Sequence, residues 1–322
     1  MSACELSAWL AQRPPAVAEV VQAMAAACAG IAQAVARGAN ADAAERLIAA
    51  ALGGCPQAAG WSSASQAEVT PSPEHACRGG FLVAFDALDE GGVSAGTLFS
   101  VLPHLFRGAP ASAVAFMQPA HRQVCAGCAL YGPVTRLALA GAEGVTVFAL
   151  DPDRGHWTLV REAVQVSASC SEFAADTGRQ RHWEKPVQRY VAECQAGEGG
   201  PRGRDFGMHW HGNLAAEVHH ILAQGGVVLL PRQSRAPGPP RTIELLHHAA
   251  PVALLMERAG AAASTGTTPL IELVPDALHQ RVPAILGARD EVQRIVGYHA
   301  DPHENVSWQL FKTRSLFVQP NA

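Results

Sequence analysis

The sequence predicts an α/β fold of the layered α+β kind, divided into two domains, and three observations support this prediction. The chain has 322 residues, whereas a single domain usually has roughly 150. Hydrophobic residues make up 48% of the chain and charged residues 16%, a composition that supplies a large core and is not typical of disorder. Strand-like and helical patterns alternate without a strict βαβ rhythm, which favours sheets with helices between them.

The first half begins with helical patterns and continues with strands. Residues 16–37 and 43–52 have helical spacing of apolar residues, and Asp42 is a candidate N-cap for the second helix. The segment 53–72 is rich in Gly, Pro and Ser, which predicts a loop. Strands are predicted at 81–88, 95–102, 135–140, 145–150 and 156–161.

The second half has a different order of elements. A helix is predicted after Asn213, ending at Gly225, and others near Pro251 and at 290–298. Short strands are predicted at 227–231, 242–246, 269–275 and 283–287. We expect an N-terminal domain at 1–163, a C-terminal domain at 164–300 and a tail at 301–322.

Charge and composition argue against several classes of function. The formal net charge is −4 and there is no basic run, so we expect no nucleic-acid partner. The apolar stretch 20–36 is interrupted by Gln22 and Gln33 and predicts a core helix, so we expect no membrane segment. Without a signal-peptide pattern the expected location is cytoplasmic. Cys125 and Cys128 lie in a small-residue run that predicts a strand, not a zinc site.

Two carboxylates stand at the end of the apolar strand 81–88. Asp86 and Asp89 are followed by Glu90 and two glycines. Such a pair at a strand terminus can bind a hard divalent cation while the glycine loop approaches an anion. A solvated turn is the alternative interpretation of the same residues.

A series of longer segments occurs in an order that resembles the class 1 fructose-1,6-bisphosphatases, especially the proteobacterial type, from about residue 5 to His299. The segments are FLVAFDALDEGG, VSAGTLFSVL, FMQPAHRQVCAGCALYGP, FALDPDRGHWTLV, RHWEKPVQRYV, GPRGRDF, AAEVHHILAQGGVVLLP and LHQRVPAILG. The resemblance implies a five-layer α/β/α/β/α sugar phosphatase fold. It also implies a homo-oligomer, a tetramer or dimer, and Mg²⁺-dependent hydrolysis of the 1-phosphate of fructose 1,6-bisphosphate.

The resemblance implies a metal site that this chain retains in part. Asp86 and Asp89 match the two aspartates of the family's Asp-Pro-Leu-Asp-Gly-Ser-Ser motif, and Leu88 matches the residue whose carbonyl faces the metal. His248 stands in place of a metal-binding glutamate. We therefore expect weakened binding of Mg²⁺ at these four residues, or binding of Mn²⁺ or Zn²⁺ instead, because imidazole favours softer ions.

Other reactive positions of the family are replaced. Residues 65–66 are Ser-Gln in place of a metal-binding Glu-Glu pair, with Glu68 as the nearest substitute. Residues 90–92 are Glu-Gly-Gly in place of the phosphate-binding Gly-Ser-Ser. Ile48 takes the place of an aspartate that helps to activate water.

The sugar-phosphate end implied by the resemblance is also altered. His209 replaces an arginine that reaches across the subunit interface, and Trp210 matches the aromatic residue that follows it. Asp176 replaces a phosphate-binding asparagine, and Thr242 replaces a lysine, with Arg241, one position away, expected to be the only nearby cation. Each unpaired like-charge contact in a partly dry pocket costs about 1–3 kcal/mol, so the gain of Asp176, Glu90 and Glu244 predicts weak binding of a bisphosphate.

Three hypotheses about function follow. The chain is a sugar-phosphate phosphatase, a phosphoric monoester hydrolase, whose activity is impaired or lost. Alternatively, it is a non-catalytic subunit that binds a metabolite or assembles with an active homologue. As a third hypothesis it is a repurposed metalloenzyme, because histidines recur in pairs. These pairs are His209 and His211, His219 and His220, and His247 and His248.

Overall fold

Two large β-sheets, a separate two-stranded sheet and the helices packed on them make up this computed structural model. It describes residues 5–75, 78–91, 94–106, 108–233 and 242–301, and at positions 90 and 91 only the backbone. Within these ranges the helices are α1 (Leu6–Leu10), α2 (Pro15–Val35), α3 (Ala41–Gly53), α4 (Ala113–Phe116), α5 (Lys185–Gln195), α6 (Leu214–Gln224), α7 (Ala250–Arg258) and α8 (Arg289–Ala300). Short 3-10 turns lie at Ala120–Arg122, Thr177–His182, Gly197–Gly199 and Leu270–Glu272, and a π-helical turn at Leu245–Ala249.

The first sheet has eight strands in the order β2-β1-β3-β4-β5-β6-β7-β8. These are β1 (Ala58–Ser63), β2 (Thr70–Pro71), β3 (Phe81–Gly91), β4 (Ser94–Pro103), β5 (Cys125–Tyr131), β6 (Arg136–Gly141), β7 (Gly144–Asp151) and β8 (His156–Arg161). Only β1 and β3 pair in parallel; the other neighbours are antiparallel. The long antiparallel ladder β3–β4–β5 supports the end of the chain segment that carries Asp86 and Asp89.

The second sheet has five strands in the order β10-β9-β11-β15-β13, and two further strands, β12 and β14, pair separately. These strands are β9 (Glu172–Ala175), β10 (Gly207–His209), β11 (Val227–Leu230), β12 (Ile243–Glu244), β13 (Ala262–Ser264), β14 (Arg281–Val282) and β15 (Ala284–Gly287). The strands β10, β9 and β11 are mutually parallel, whereas β15 runs antiparallel to both β11 and β13.

The helices separate and cover the two sheets, which confirms the predicted five layers. Buried side chains of α2 and α3 pack on one face of the first sheet together with Phe85 and Phe99. The next core contains α6 and α7 with strands from both sheets, so these helices lie between the sheets. The third core joins α5 and α8 to the outer face of the second sheet through residues such as Tyr190 and Ile285. The order of layers is therefore α/β/α/β/α.

The helix α2 is a core helix, as the sequence predicts. By length and composition alone it would be long enough to cross a membrane. Its side chains Val20, Val21, Met24 and Ile31 are fully buried against the first sheet and α3. Packing inside the protein thus accounts for the apolar character of this segment.

Four of the sequence predictions were wrong in part. The N-cap of α3 is Asn40, whose side chain accepts a hydrogen bond from Ala43, while Asp42 lies in the first turn and there complements the helix dipole. The segment 53–72 contains β1 and β2; β1 is wholly buried, yet its small residues give no apolar strand pattern. The segment 269–275 is a 3-10 turn bounded by prolines, not a strand. Of the strand predicted at 242–246 only β12 is extended, because the chain then enters the π-helical turn.

Candidate functional site

The pair Asp86 and Asp89 lies near the end of β3, where the sheet is irregular. Asp86 pairs with Leu98 and Asp89 with Gly96, so three steps along β3 match two along β4. Such a bulge changes the direction of side chains along a strand. At the same place Gly96 brings β4 against α6, since a Cβ atom there would come within 2.2 Å of Ala215 Cβ. The start of α6 therefore lies directly beside the two aspartates.

Asp86 is bound to His248, which comes from the π-helical turn. The distance from His248 Nε2 to Asp86 Oδ2 is 2.8 Å, and only 15% and 19% of the two side chains are exposed. Burial acts to lower the pKa of His248, but the hydrogen bond and charge of Asp86 outweigh it, so this pKa is raised. The imidazole thus forms an ion pair with one of the two predicted metal-binding carboxylates.

Asp89 is bound to the beginning of α6. Its Oδ2 accepts a hydrogen bond of 3.1 Å from the backbone N–H of Ala215, and its carbonyl oxygen accepts one from Asn213, the N-cap of α6. Burial, and then the charge of Asp86, raise the pKa of Asp89 above its ordinary value. Leu88 lies between the two aspartates and donates its N–H to Asp86 Oδ1 at 3.3 Å.

These residues fit a magnesium ion poorly. Magnesium requires near-octahedral coordination by oxygen atoms, whereas one oxygen of Asp86 is bound to an imidazole and one of Asp89 to a helix N-terminus. Ligand atoms of Asp86, Asp89 and His248 are not among the groups of three that converge within 4.8 Å in the described residues. The described arrangement of Asp86, Asp89 and His248 is therefore not that of a magnesium site.

A carboxylate does lie beside Ser65, but it belongs to Glu45 and not to Glu68, the nearest substitute in the sequence. Glu68 is exposed. Glu45 from α3 instead accepts hydrogen bonds from Ser63 Oγ at 2.7 Å and Ser65 Oγ at 3.0 Å. Ile48, one turn further along α3, is fully buried in the core. No local motif marks Glu45, because the serines that contact it lie on another element of the fold.

A cavity of about 630 Å³ adjoins the aspartates. It is lined by Asp89, Arg179, Trp210, Gly212, Asn213, Leu214, Glu217, Val228, Leu230, Thr242, Ile243 and Arg281. Trp210 and Thr242 were assigned to a sugar-phosphate site by the resemblance, and both lie in its wall. The cavity is large enough for a small metabolite.

The cavity contains cations that the sequence analysis missed. Arg179, from a 3-10 turn, and Arg281, from β14, both line it. The prediction that Arg241 is the only cation near Thr242 is therefore wrong, because the fold brings these arginines from distant segments. Arg241 itself lies outside the described residues.

The predicted repulsive carboxylates are also paired. Asp176 Oδ2 lies 3.5 Å from Arg179 Nε. Glu244 lies 3.7 Å from Arg281 and accepts hydrogen bonds from His247 and His279. Burial acts to raise the pKa of Glu244, but these imidazole hydrogen bonds lower it to about 2. The charge argument that treats Asp176 and Glu244 as unpaired was thus wrong, whereas the side chain of Glu90 is outside the description.

The histidines form groups that their pairing in the sequence does not predict. His209 and His211 contact His220, and His247 contacts His279. His209 does not line the cavity; its Nε2 is 3.1 Å from Glu217 Oε2. Burial lowers the pKa of His209, and the charges of His220 and His211 lower it further.

Comparison with known proteins gives a consistent result for both halves of the chain. Residues 18–162 match the family model described as the N-terminal domain of fructose-1-6-bisphosphatase, and residues 166–300 match that of its C-terminal domain. A protein of Methylibium petroleiphilum named fructose-1,6-bisphosphatase class 1 1 is 55% identical over the full length of both chains. A protein of Hydrogenophilus thermoluteolus named fructose-1,6-bisphosphatase class 1 is 44% identical, covering 76% of this chain and 70% of its own.

Proposed function

The chain belongs to the class 1 fructose-1,6-bisphosphatase family, and we propose on this basis that it binds a sugar phosphate but hydrolyses fructose 1,6-bisphosphate slowly or not at all. The observation that carries the proposal is the 2.8 Å pair between His248 and Asp86. Hydrolysis of a phosphate monoester needs cations that neutralise the phosphoryl oxygens and a positioned water. Here the imidazole of His248 is already bound to Asp86, a carboxylate that such a cation would need as a ligand.

An imidazolium cannot replace a divalent ion in this role. It carries at most a single charge, has no open coordination position and cannot lower the pKa of a bound water as a metal does. Asp89 offers little compensation, because one of its oxygens is bound to the N-terminus of α6. A metal would have to displace both His248 and this backbone hydrogen bond. Because both interactions would be lost, we expect Mg²⁺ to bind weakly. Mn²⁺ or Zn²⁺ are the better candidates for this position, since they accept imidazole ligands.

The cavity supports the binding half of the proposal. Arg179 and Arg281 supply guanidinium groups, which suit planar, bidentate recognition of phosphate. Trp210 offers a flat apolar surface of the kind that packs against sugar rings. Each arginine also faces a carboxylate of the protein, Asp176 or Glu244, so a phosphate must compete with these pairs. We therefore expect the cavity to bind a sugar phosphate with moderate affinity.

Several further features belong to the same proposal. We assign the N-terminal domain to 1–163 and the sugar-phosphate-binding domain to 164–300, in agreement with the ranges of the two family matches. A homo-oligomer, a tetramer or dimer, and a cytoplasmic location are proposed from family membership. Light scattering on the purified chain tests the oligomeric state.

Binding of a sugar phosphate in the cavity is tested by titration calorimetry with fructose 1,6-bisphosphate in the absence of divalent ions. We expect one site per chain, and we expect Arg179→Ala to weaken binding about tenfold, which corresponds to about 1.4 kcal/mol. Arg37→Ala is the matched control, because Arg37 is exposed after α2 and lies outside the cavity wall. No heat of binding at millimolar ligand, or equal weakening by both variants, would reject a sugar-phosphate site in this cavity.

A further inference from the structure

Three imidazole rings converge at one side of the second sheet, apart from Asp86. His209 ends β10, His211 follows in the loop, and His220 lies on α6. The ring centroids are 4.0 Å apart for His209 and His220, 5.0 Å for His209 and His211, and 5.5 Å for His211 and His220. Each ring offers one nitrogen such that the three nitrogens lie within 4.8 Å of one another.

Two carboxylates, those of Glu217 and Glu172, contact nitrogens of these rings. Glu217 Oε2 lies 3.1 Å from His209 Nε2 and 3.2 Å from His211 Nδ1, and Glu217 Oε1 accepts the backbone N–H of His211 at 2.7 Å. Glu172 Oε2 lies 3.0 Å from His220 Nε2. At least one nitrogen of each ring thus faces a carboxylate at 3.0–3.2 Å, and the second nitrogen of His209, Nδ1, lies 4.0 Å from Glu172 Oε2. Carboxylates hold metal-binding histidines in this manner in many metal sites.

We propose that His209, His211 and His220 bind one divalent transition-metal ion. Imidazole ligands favour ions such as Zn²⁺ over Mg²⁺ and Ca²⁺, which prefer oxygen. Zinc–nitrogen bonds of about 2.0–2.1 Å at tetrahedral angles require nitrogens about 3.3 Å apart, so the rings need to close by at most about 1.5 Å. His211 is on a loop and 41% exposed, which allows that adjustment.

The site has an open coordination position and lies next to the cavity. Three protein ligands leave a fourth position of tetrahedral zinc for water or an anion. Glu217, which contacts two of the three histidines, also lines the cavity, as does Trp210 between them. A bound ion would therefore add positive charge beside a cavity wall that contains Glu217. This inference does not depend on the proposed function, because the metal site is complete without a sugar phosphate.

The other convergent group, Glu244 with His247 and His279, has a different character. His247 is held by Glu244 at Nδ1 and by Ser62 Oγ at Nε2. His279 is held by Glu244 at Nδ1 and by the carbonyl oxygen of Gln66 at Nε2. All four ring nitrogens are engaged within the protein, so this group joins β1 and the loop after it to β12, the π-helical turn and the loop before β14 without requiring an ion.

The proposal is tested with the purified full-length chain after removal of metals by a chelator, using Zn²⁺ and Co²⁺ as probes. Calorimetry with Zn²⁺ is expected to give one equivalent whose binding depends on His211, and Co²⁺ is expected to give visible absorption typical of tetrahedral nitrogen coordination. His211→Ala should weaken Zn²⁺ binding at least about tenfold, because it removes one of three ligands. His279→Ala is the matched control from the other histidine group and should leave Zn²⁺ affinity unchanged.

Folding of the variants is checked by circular dichroism, and His211 is chosen because its side chain is exposed, so its removal leaves no cavity in the core. Glu217→Gln provides a second variant, expected to weaken Zn²⁺ binding by about 10- to 100-fold as an orienting residue. Absence of Zn²⁺ binding, unchanged affinity in His211→Ala, or loss only in His279→Ala would each overturn the proposal. None of these results changes the calorimetry with fructose 1,6-bisphosphate.

Discussion

At the scale of single residues, the proposed function depends on the bond between Asp86 and His248. Sequence comparison by motif identifies His248 only as a replacement for a carboxylate. The structure adds that its Nε2 is bound to Asp86 and that its other ring nitrogen is buried without a hydrogen-bond partner among the described residues. Histidine in place of the family's glutamate therefore removes one carboxylate ligand and also binds an oxygen of Asp86. Its effect is larger than the loss of one ligand alone.

Replacing His248 with glutamate tests this effect directly. In His248→Glu a third carboxylate faces Asp86 and Asp89, and their mutual repulsion should make the folded state depend on a divalent cation. We expect an excess of Mg²⁺ to raise the melting temperature of the variant but not of the unmodified chain. Phosphate release from fructose 1,6-bisphosphate should rise at least about tenfold, or about 1.4 kcal/mol in barrier.

The matched control is His121→Glu, which adds the same charge at an exposed histidine in a 3-10 turn. In this control Mg²⁺ should leave the melting temperature unchanged, as in the unmodified chain, and phosphate release should not rise. If His248→Glu shows neither Mg²⁺-dependent melting nor increased phosphate release, the pair with Asp86 is not what limits the reaction.

At the scale of elements, α6 connects the two sheets and positions one wall of the cavity. Asn213 caps the helix and also binds the Asp89 carbonyl. His219, on the buried side of α6, donates from Nε2 to the carbonyl oxygen of Cys128 on β5 at 3.0 Å. Since a displaced α6 would move Glu217 and the backbone around Asp89 together, the attachment of this helix matters for both candidate sites.

The buried His219 makes this attachment sensitive to pH. Burial lowers the pKa of His219 from 6.5 to about 4. Between these values the unfolded chain binds a proton that the folded chain does not, so stability falls as the pH falls from 6.5 towards 4. The contribution of this one group is at most about 3 kcal/mol. His219→Gln, which retains a donor without titrating, should show a shallower fall in urea-unfolding free energy across this interval.

His121→Gln serves as the control, because an exposed histidine lacks this burial. A pH dependence of His219→Gln identical to that of the unmodified chain would show that α6 is not attached through a neutral buried imidazole. At neutral pH the two proteins should differ little, since the hydrogen bond to β5 is retained.

At the scale of the whole molecule, the layered fold follows from the sequence better than the site does. Long periodic segments such as α2, and apolar runs such as β3, specify their structure locally, and the five layers follow from the family resemblance. The strand β1 could not be predicted, because its Ala, Gly and Ser residues are buried through close approach and not through apolar character. At Gly60 a Cβ would come within 2.6 Å of Ala111 Cβ, a contact that only the tertiary structure reveals.

The charge of the site could be predicted only in part, for the same reason. The sequence locates Asp86, Asp89 and Trp210 through their motifs. Arg179 and Arg281 reach the cavity from two other segments, so motif comparison counts the carboxylates that were gained without the arginines that pair with them. The cavity therefore retains positive charge, since Arg179 and Arg281 line it.

The central claim is that binding and hydrolysis have been separated in this chain, and the rate of phosphate release from fructose 1,6-bisphosphate tests it most directly. The purified chain is measured with excess Mg²⁺ beside the Methylibium petroleiphilum relative under identical conditions. We predict a turnover at least about a hundredfold slower than that of the relative, as expected when metal-ion catalysis is removed. A turnover within about tenfold of the relative would contradict the claim, since the pair of His248 and Asp86 would then be no obstacle to the reaction.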